Sequence, residues 1–263
     1  MKRIHLFEFE DFGWFPAWIR TAVTRLIVVM HKLVGSDQDL TDLIHRALEH
    51  SQAPAIIDLC SGSGGPMIAI FTRLQERYPV EGLTLHLTDL YPDRHLANTI
   101  NAHSASSRIA YVPYPVDAAN VNLDEPGVRT LIGSMHHMKP QMARKILADA
   151  QQSRQPLCVY ELSDNSFPIY LWWVAIPLNF MMALLITPFV KPLTWRQLVF
   201  TYGIPIIPFF FAWDGAVSNA RTYTLEDLDQ LLSELPLGGY RWEKGRLKGK
   251  TKKLYLLGLP INP

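Results

Sequence analysis

Cysteine is scarce in this chain of 263 residues, with only Cys60 and Cys158 present. Both sit in apolar, strand-like surroundings. They offer neither a disulfide framework nor a cysteine quartet for a metal, so no metal is expected and a reducing compartment is the expected home. An excess of one charge is missing too. Lys and Arg total 25 against 24 Asp and Glu, which leaves a net charge of +1 and no global attraction to nucleic acid. Charged residues make up 19% and apolar residues 48%, the balance of a folded, slightly greasy chain. The N-terminus lacks the apolar run of a secretory signal: Glu8, Glu10 and Asp11 fall where it would lie, which argues against export. No internal repeat or low-complexity tract is visible. The length suits one substantial core, or a core with a small cap.

What is present is a strand–turn–helix signal. Ala55-Ile56-Ile57-Asp58-Leu59 reads as a β-branched strand ending at an acid, and Cys60-Ser61-Gly62-Ser63-Gly64-Gly65 follows as a glycine-rich turn. Pro66 then opens a helix over residues 66–77, where its missing N–H is harmless. Such a turn brings bare backbone N–H groups, at the positive end of a helix, to the carboxyl edge of a parallel sheet. The dinucleotide fingerprint Gly-x-Gly-x-x-Gly fits poorly, because Met67 stands three after Gly64. An acid at the strand end followed by glycines two apart (Asp58, then Gly62 and Gly64) resembles the first motif of class I S-adenosylmethionine (SAM) dependent methyltransferases. That resemblance implies that the turn, Asp58, Cys60, Ser61, Gly62 and Gly64 included, packs on the amino-acid end of SAM. Cys60 stands where the family usually carries its first glycine.

Gly82 to Thr88 alternates as a second strand ending at Asp89, 25 residues beyond Gly64. An acid there can accept both ribose hydroxyls with its two oxygens; a solvated turn acid is the plainer reading. Leu90 and Tyr91 would flank adenine. The run 109–118 is strand-like, but Pro113 and Pro115 cannot donate to a ladder, which places this strand at a sheet edge. Asp117-Ala118 resembles the family's acid-plus-small pair beside the adenine amino group. Residues 129–138 read as the fourth strand and the loop leaving it, which faces the donated methyl in that fold. Ser134 belongs to the cofactor side of this loop. The paired His136 and His137 resemble the small-molecule branch of the family, the type including quinone-biosynthesis enzymes. The Asn/Asp-Pro-Pro-aromatic tetrapeptide used on amino groups of bases is absent. A histidine here can take a proton from an attacking hydroxyl or thiol, His137 ahead of His136. The bland alternative has one ring bonded to the loop backbone and the other in solvent.

Phe7, Phe9, Phe12, Trp14 and Phe15 are interleaved with acids near the N-terminus. Pro16 then opens a helix with Ile19, Val23, Leu26, Ile27 and Met30 at helical spacing. This segment is either packed core or a lid over donor and acceptor, with Trp14 and Phe15 as candidate acceptor contacts. A second helix runs from Ser36 or Asp37 through His50. After a helix over 139–152 and a fifth strand over 157–161, the 59 residues 164–222 intervene before an amphipathic helix at 225–235. Residues 165–190 carry no charge across 26 positions, and 197–213 are again uncharged. About 20 apolar residues suffice to cross a bilayer, but Pro168, Pro177, Pro188, Pro205 and Pro208 interrupt these runs. A greasy cap on an acceptor pocket, or a hairpin dipping into one leaflet with Trp172-Trp173 at the interface, fits better than a clean span. Trp213-Asp214-Gly215 reads as a turn at the exit of the insert. Trp213, Asp214 and Arg221 are candidates to orient a polar acceptor head. Residues 241–253 hold seven Lys or Arg against one Glu, either a solvated hairpin or a run leaning on anionic headgroups.

The expected architecture is an α/β three-layer sandwich, Rossmann-like, with a mainly parallel seven-stranded sheet and an antiparallel last strand. Its parts are an N-terminal lid (1–50), a SAM-binding core (51–163), an apolar insertion (164–222), and a C-terminal helix and strand pair (223–263). The resemblance implies methyl transfer from SAM to an apolar small-molecule or lipid-like acceptor. The setting would be the cytoplasm, including the inner face of a membrane, without nucleic acid. The competing reading is a SAM-fold module without catalysis that serves as a membrane or partner adaptor. A nicotinamide dehydrogenase is disfavoured by Met67.

Overall fold

Short runs with apolar residues on both faces alternate with amphipathic helices through the middle of the chain, a pattern that folds as a parallel sheet covered by helices. The structure, a computed structural model, describes residues 1–103, 108–123, 126–166, 168–236, 238–247 and 252–261. The strands are β1 Ala55–Asp58, β2 Thr84–Leu87, β3 Ile109–Tyr111, β4 Val128–Ile132, β5 Leu157–Glu161, β6 Tyr240–Leu247 and β7 Lys253–Pro260. They form one sheet in the order β3-β2-β1-β4-β5-β7-β6. β1 to β5 are parallel, and β7 runs against both of its neighbours. Strand order reverses between β1 and β4, so the carboxyl end of β1 opens onto a crevice. β3 lies at the edge, as its prolines require. It is only three residues long, because Pro113 and Pro115 fall outside the ladder.

The helices are α1 Ala17–Leu33, α2 Ser36–Leu48, α3 Met67–Arg77, α4 Arg94–His103, α5 Pro140–Gln152, α6 Ala175–Ile186, α7 Trp195–Leu198, α8 Ile206–Arg221 and α9 Leu225–Ser233. Successive strand residues point to opposite faces, so Ile56 and Ile57 feed different cores. Ile56, Leu85 and Tyr160 meet Leu40, Ile44, Ile70 and Leu74 of α2 and α3. Ile57, Leu131 and Val159 meet Leu147 of α5 and Leu228 and Leu231 of α9.

A third core stands apart from the sheet. Phe15 and the α1 residues Ile19, Val23 and Leu26 pack against Ala183, Ile186, Ile207 and Phe211 of the insertion. The N-terminal segment and the insertion are therefore one cap, not two. Four of the insertion's prolines start helices instead of breaking them. Pro168 precedes the 3-10 turn Ile169–Val174, Pro177 and Pro208 fall in the first turns of α6 and α8, and Pro205 immediately precedes α8. In a first turn the missing N–H would have been unpaired anyway. The turn expected at Trp213-Asp214-Gly215 is likewise replaced by the middle of α8. Gly215 is there for close packing: a Cβ on it would lie 2.9 Å from the side-chain nitrogen of Asn179 on α6.

The closing strand pair is equally tight. A Cβ on Gly258 of β7 would lie 2.5 Å from the Trp242 ring and 2.6 Å from the Tyr240 ring. Tyr240 is itself anchored by its hydroxyl, which donates to the Gln155 carbonyl at 2.7 Å. Gly258→Ala is expected to lower unfolding free energy by about 1–3 kcal/mol, the usual cost of overpacking, read as a lower denaturant midpoint at unchanged slope.

Candidate functional site

Asp58 ends β1 and is buried. One of its oxygens accepts from the Ser61 hydroxyl at 2.6 Å, the other from the Thr130 hydroxyl of β4 at 2.7 Å. Burial pushes its carboxyl up to about 7; the bonds from Ser61 and Thr130 oppose this, and the Asp89 charge adds to it. The turn beyond is left-handed at Cys60 (φ +58°), Gly62 (+51°) and Gly64 (+89°). A side chain in that region costs roughly 1–2 kcal/mol, which is why glycine suits position 60 and why Cys60 is a conformational exception. A Cβ on Gly62 would meet nothing within 4 Å, so the turn is open toward the crevice.

Asp89 stands opposite. Its two oxygens accept from the backbone N–H groups of Gly62 at 2.9 Å and Tyr91 at 2.8 Å. The Tyr111 hydroxyl of β3 donates to the Gly62 carbonyl at 2.9 Å. Asp117 accepts from the Ala119 N–H at 2.9 Å, with Ala118 buried beside it. Burial pushes the Cys60 thiol up to about 12, and Asp89, Asp58 and Asp117 reinforce the shift. Carboxylates at the end of β1, just after β2 and in the loop beyond β3 thus lie around this turn. Leu90 and Tyr91 are exposed at its margin.

Between the turn, α1, α8 and the loop after β4 lies a cavity of about 420 Å³. Its walls include Cys60, Ser61 and Gly62, then Thr24 and Ile27 of α1, and Asn179, Phe211 and Asp214 of the insertion. Ser134, His136 and His137 close it from the sheet side. The Ser134 hydroxyl is buried without a hydrogen-bond partner among the described residues. Asp58, Gly64, Asp89, Leu90, Asp117 and Ala118 are not among the residues lining this cavity. Trp14, Phe15 and Trp213 do not line it either. Trp14 is exposed and stacks on Phe12, Phe15 is buried in the cap, and Trp213 donates its indole N–H to the Phe7 carbonyl. Each of the three builds the cap.

The polar end of the cavity is a cluster of imidazoles and carboxylates that the sequence only half reveals. Met135–His137 forms a 3-10 turn. Nδ1 of His136 is 2.8 Å from Glu161 at the end of β5, and Nδ1 of His137 is 2.9 Å from Asp11. Glu8 reaches in from the N-terminal segment, with one oxygen 3.7 Å from Nε2 of His136 and the other 3.7 Å from Nε2 of His137. Burial alone would lower the His136 pKa, but Glu161 and Glu8 outweigh it and push it up to about 10. Burial likewise raises Glu8, yet His137, His136 and Arg221 bring it below its ordinary value. Arg221 is a clamp and does not line the cavity. It bonds Asp11 at 2.7 Å, contacts Glu8 at 3.2 Å and donates to the His137 carbonyl at 3.2 Å. Glu8, Asp11 and Glu161 were not singled out from sequence. Glu161 alone had a readable signal, as an acid ending a strand like Asp58 and Asp89.

Asp214 is buried on the cavity wall. One oxygen accepts from the Phe9 N–H at 2.7 Å and the other has no hydrogen-bond partner among the described residues. Burial pushes its carboxyl up to about 8; the Phe9 bond opposes this, and Glu10 and Glu8 add to it.

No family model matches the sequence, and no curated protein matches it. Solved structures do match the fold. NcsB1, an O-methyltransferase from neocarzinostatin biosynthesis in complex with SAM and 2-hydroxy-5-methyl naphthoic acid, aligns at a TM-score of 0.53 and 13% identity, over 96% of this chain and 60% of that one. A protein from Nostoc punctiforme assigned as an O-methyltransferase aligns at 0.52 and 14% identity, over 94% and 61%. The chain therefore has the class I SAM-dependent methyltransferase fold, and it spans about three fifths of the length of these two structures.

The raised Asp214 carboxyl gives a pH signature. A carboxyl whose folded pKa lies above its ordinary value of 3.8 supports folding below about pH 4, and that support is lost as pH rises through about 8. Asp214→Asn keeps an oxygen for the Phe9 N–H and removes the titration. The melting temperature of the native chain should fall more steeply between about pH 5 and 8 than that of the variant, measured side by side by calorimetry.

Proposed function

We propose that the chain is a SAM-dependent methyltransferase acting on a hydroxyl of an apolar small molecule. One observation carries the reading. The left-handed turn after β1 and Asp89 face each other at the point where strand order reverses, beside a cavity walled by the apolar cap. NcsB1, whose structure holds SAM and an aromatic hydroxy acid, supports it by fold. Each Asp89 oxygen keeps a second lone pair for a ribose hydroxyl, Gly62 lets a ligand touch the main chain, and the buried Ser134 hydroxyl is free for the amino-acid end. The sulfonium supplies the reactive methyl. The chain's task is alignment for in-line displacement and exclusion of water. The acceptor oxygen meets the imidazole–carboxylate cluster and loses its proton there. Titration calorimetry with SAM and S-adenosylhomocysteine tests the reading. Both should bind. Asp89→Ala should weaken them about 10- to 100-fold, the equivalent of losing one or two charge-assisted hydrogen bonds. Gly62→Asn, which tolerates the left-handed backbone but fills the crevice, should weaken them at least about 10-fold. A folded native chain that binds neither ligand refutes the proposal.

We further infer that the acceptor is drawn from a lipid surface. Ile169–Phe189 is long and apolar enough to cross a membrane by length and composition, yet only 11% of its most apolar window is buried. A core helix of a folded domain would be mostly covered. Leu178, Leu185, Phe189 and Trp195 are each about two thirds exposed, with Lys191 and Arg196 beside them. Since the opposite side of the same cap lines the cavity, one face in the headgroup region suits a helix lying in the interface. The basic run contributes less than its count suggests. Lys244, Arg246 and Lys253 are paired with Asp229, Asp164 and Asp39, and residues 248–251 lie outside the described residues. On vesicles containing phosphatidylglycerol the native chain should co-float. The double variant Leu185→Glu, Trp195→Glu should stay with the soluble fraction while still binding S-adenosylhomocysteine. A native chain that does not float leaves the insertion a cap alone.

A further inference from the structure

The two histidines of the Met135–His137 turn are both held from behind and both aimed at one carboxylate, whereas proton transfer needs only one such ring. Each Nδ1 is anchored by its own carboxylate, Glu161 for His136 and Asp11 for His137. That fixes the proton on Nδ1 and leaves the lone pair of a neutral ring on Nε2. Both Nε2 atoms then aim at one group, the carboxylate of Glu8, at 3.7 Å each. At that distance neither forms a hydrogen bond. His136 Nε2 indeed lacks a hydrogen-bond partner among the described residues although it is only 6% exposed, and Glu8, 2% exposed, is held by Arg221 at 3.2 Å on one oxygen and by the Ser218 hydroxyl at 3.0 Å on the other. The ligand atoms of Glu8, His136 and His137 all lie within 4.8 Å of one another.

We propose that Glu8, His136 and His137 hold a divalent transition-metal ion at the polar end of the cavity. Ligands about 2.1 Å from a tetrahedral ion stand roughly 3.4 Å apart; with each Nε2 3.7 Å from its own Glu8 oxygen and every ligand pair within 4.8 Å, side-chain shifts of at most about 1.4 Å close the site. Two imidazoles and one carboxylate select a borderline ion such as Zn²⁺, Fe²⁺ or Co²⁺ over Mg²⁺ or Ca²⁺, which prefer oxygen. Glu161 and Asp11 play the outer role that orients ligating histidines in such sites. The electrostatics agree. Arg221 offsets one of the three carboxylates, Glu8, Asp11 and Glu161; the other two are offset either by two imidazolium rings or by a divalent ion with neutral imidazoles, and the test below separates these. Three protein ligands also leave coordination positions open, and the cavity is where an oxygen ligand would enter. That this oxygen belongs to a methyl acceptor rests on the methyltransferase reading; the ion site itself does not.

The test uses the full chain without a histidine tag, stripped with chelator and titrated with Zn²⁺ by competition calorimetry and with Co²⁺ by visible absorption. One ion per chain is expected, with a Co²⁺ spectrum of low coordination number. Glu8→Gln, nearly isosteric, and His137→Ala should each weaken binding at least about 10-fold, while both still bind S-adenosylhomocysteine. Absence of uptake by a chain that binds S-adenosylhomocysteine overturns the ion site and leaves the methyltransferase reading standing. Uptake without nucleoside binding does the reverse. Uptake unchanged in both variants places the ion elsewhere and also overturns the proposal. So does nitrogen NMR showing both Nε2 atoms protonated and indifferent to Zn²⁺, because two imidazolium rings would then explain the geometry.

Discussion

The guanidinium of Arg221, 1% exposed at the end of α8, joins three stretches of chain at one point. Through Asp11 and Glu8 it holds the N-terminal segment, and through the carbonyls of His136 and His137 it holds the loop after β4. Its own helix belongs to the insertion. A buried guanidinium is tolerable only when its donors are used, and removing one partner of such a pair costs about 3–5 kcal/mol. The cap is thereby fixed relative to the sheet, and the cavity between them has a defined shape.

That arrangement explains why the apolar insertion does not collapse onto the sheet. α1 supplies the surface it packs on, so the cap has a core of its own in Phe15, Leu26, Ala183 and Phe211. The Ser63 hydroxyl, 3.3 Å from that of Thr24, ties the cofactor-type turn to α1 as well. With its inner side satisfied in this way, α6 is left with apolar side chains on the outside. Its composition is apolar all round, whereas a helix between a core and water carries a polar face. The lipid reading and the cap reading are thus two faces of one element.

The sheet and the turn were legible in the sequence because their signals are local. β-branched runs, the acids Asp58 and Asp89 after the first two strands, glycines two apart and prolines at the edge strand all act within a dozen residues. The insertion was visible for a related reason, two uncharged runs at 165–190 and 197–213 parted by a short polar stretch. The cap's interior was not. The same residue types that interrupt a helix in its middle start one at its first turn, and Pro177 and Pro208 differ from breakers only by position. Gly215 looked like a turn residue because its partner, Asn179, lies on another helix. Trp14, Phe15 and Trp213 looked like ligand contacts because aromatic character marks a core and a pocket alike. Glu8 and Asp11 were hidden most deeply. Their partners His136, His137 and Arg221 are more than 120 residues away, and nothing local distinguishes these acids from Glu10 between them.

The adjacency of the two histidines carries the last step. Consecutive residues in a strand point to opposite faces, so a His-His pair there would be split between the two sides of the sheet. The 3-10 turn that follows β4 instead brings the rings to 4.3 Å between centroids with a 34° tilt, close enough for both to address one carboxylate. Such proximity is unfavourable for two cations and for two inward-facing lone pairs alike. It persists because Glu8 bridges the rings while Glu161 and Asp11 hold them from behind. Two of those three acids come from the N-terminal segment and one from β5. The polar end of the cavity is therefore assembled only when the cap is seated on the sheet, and the contacts that complete the site are the same ones that hold the cap in place.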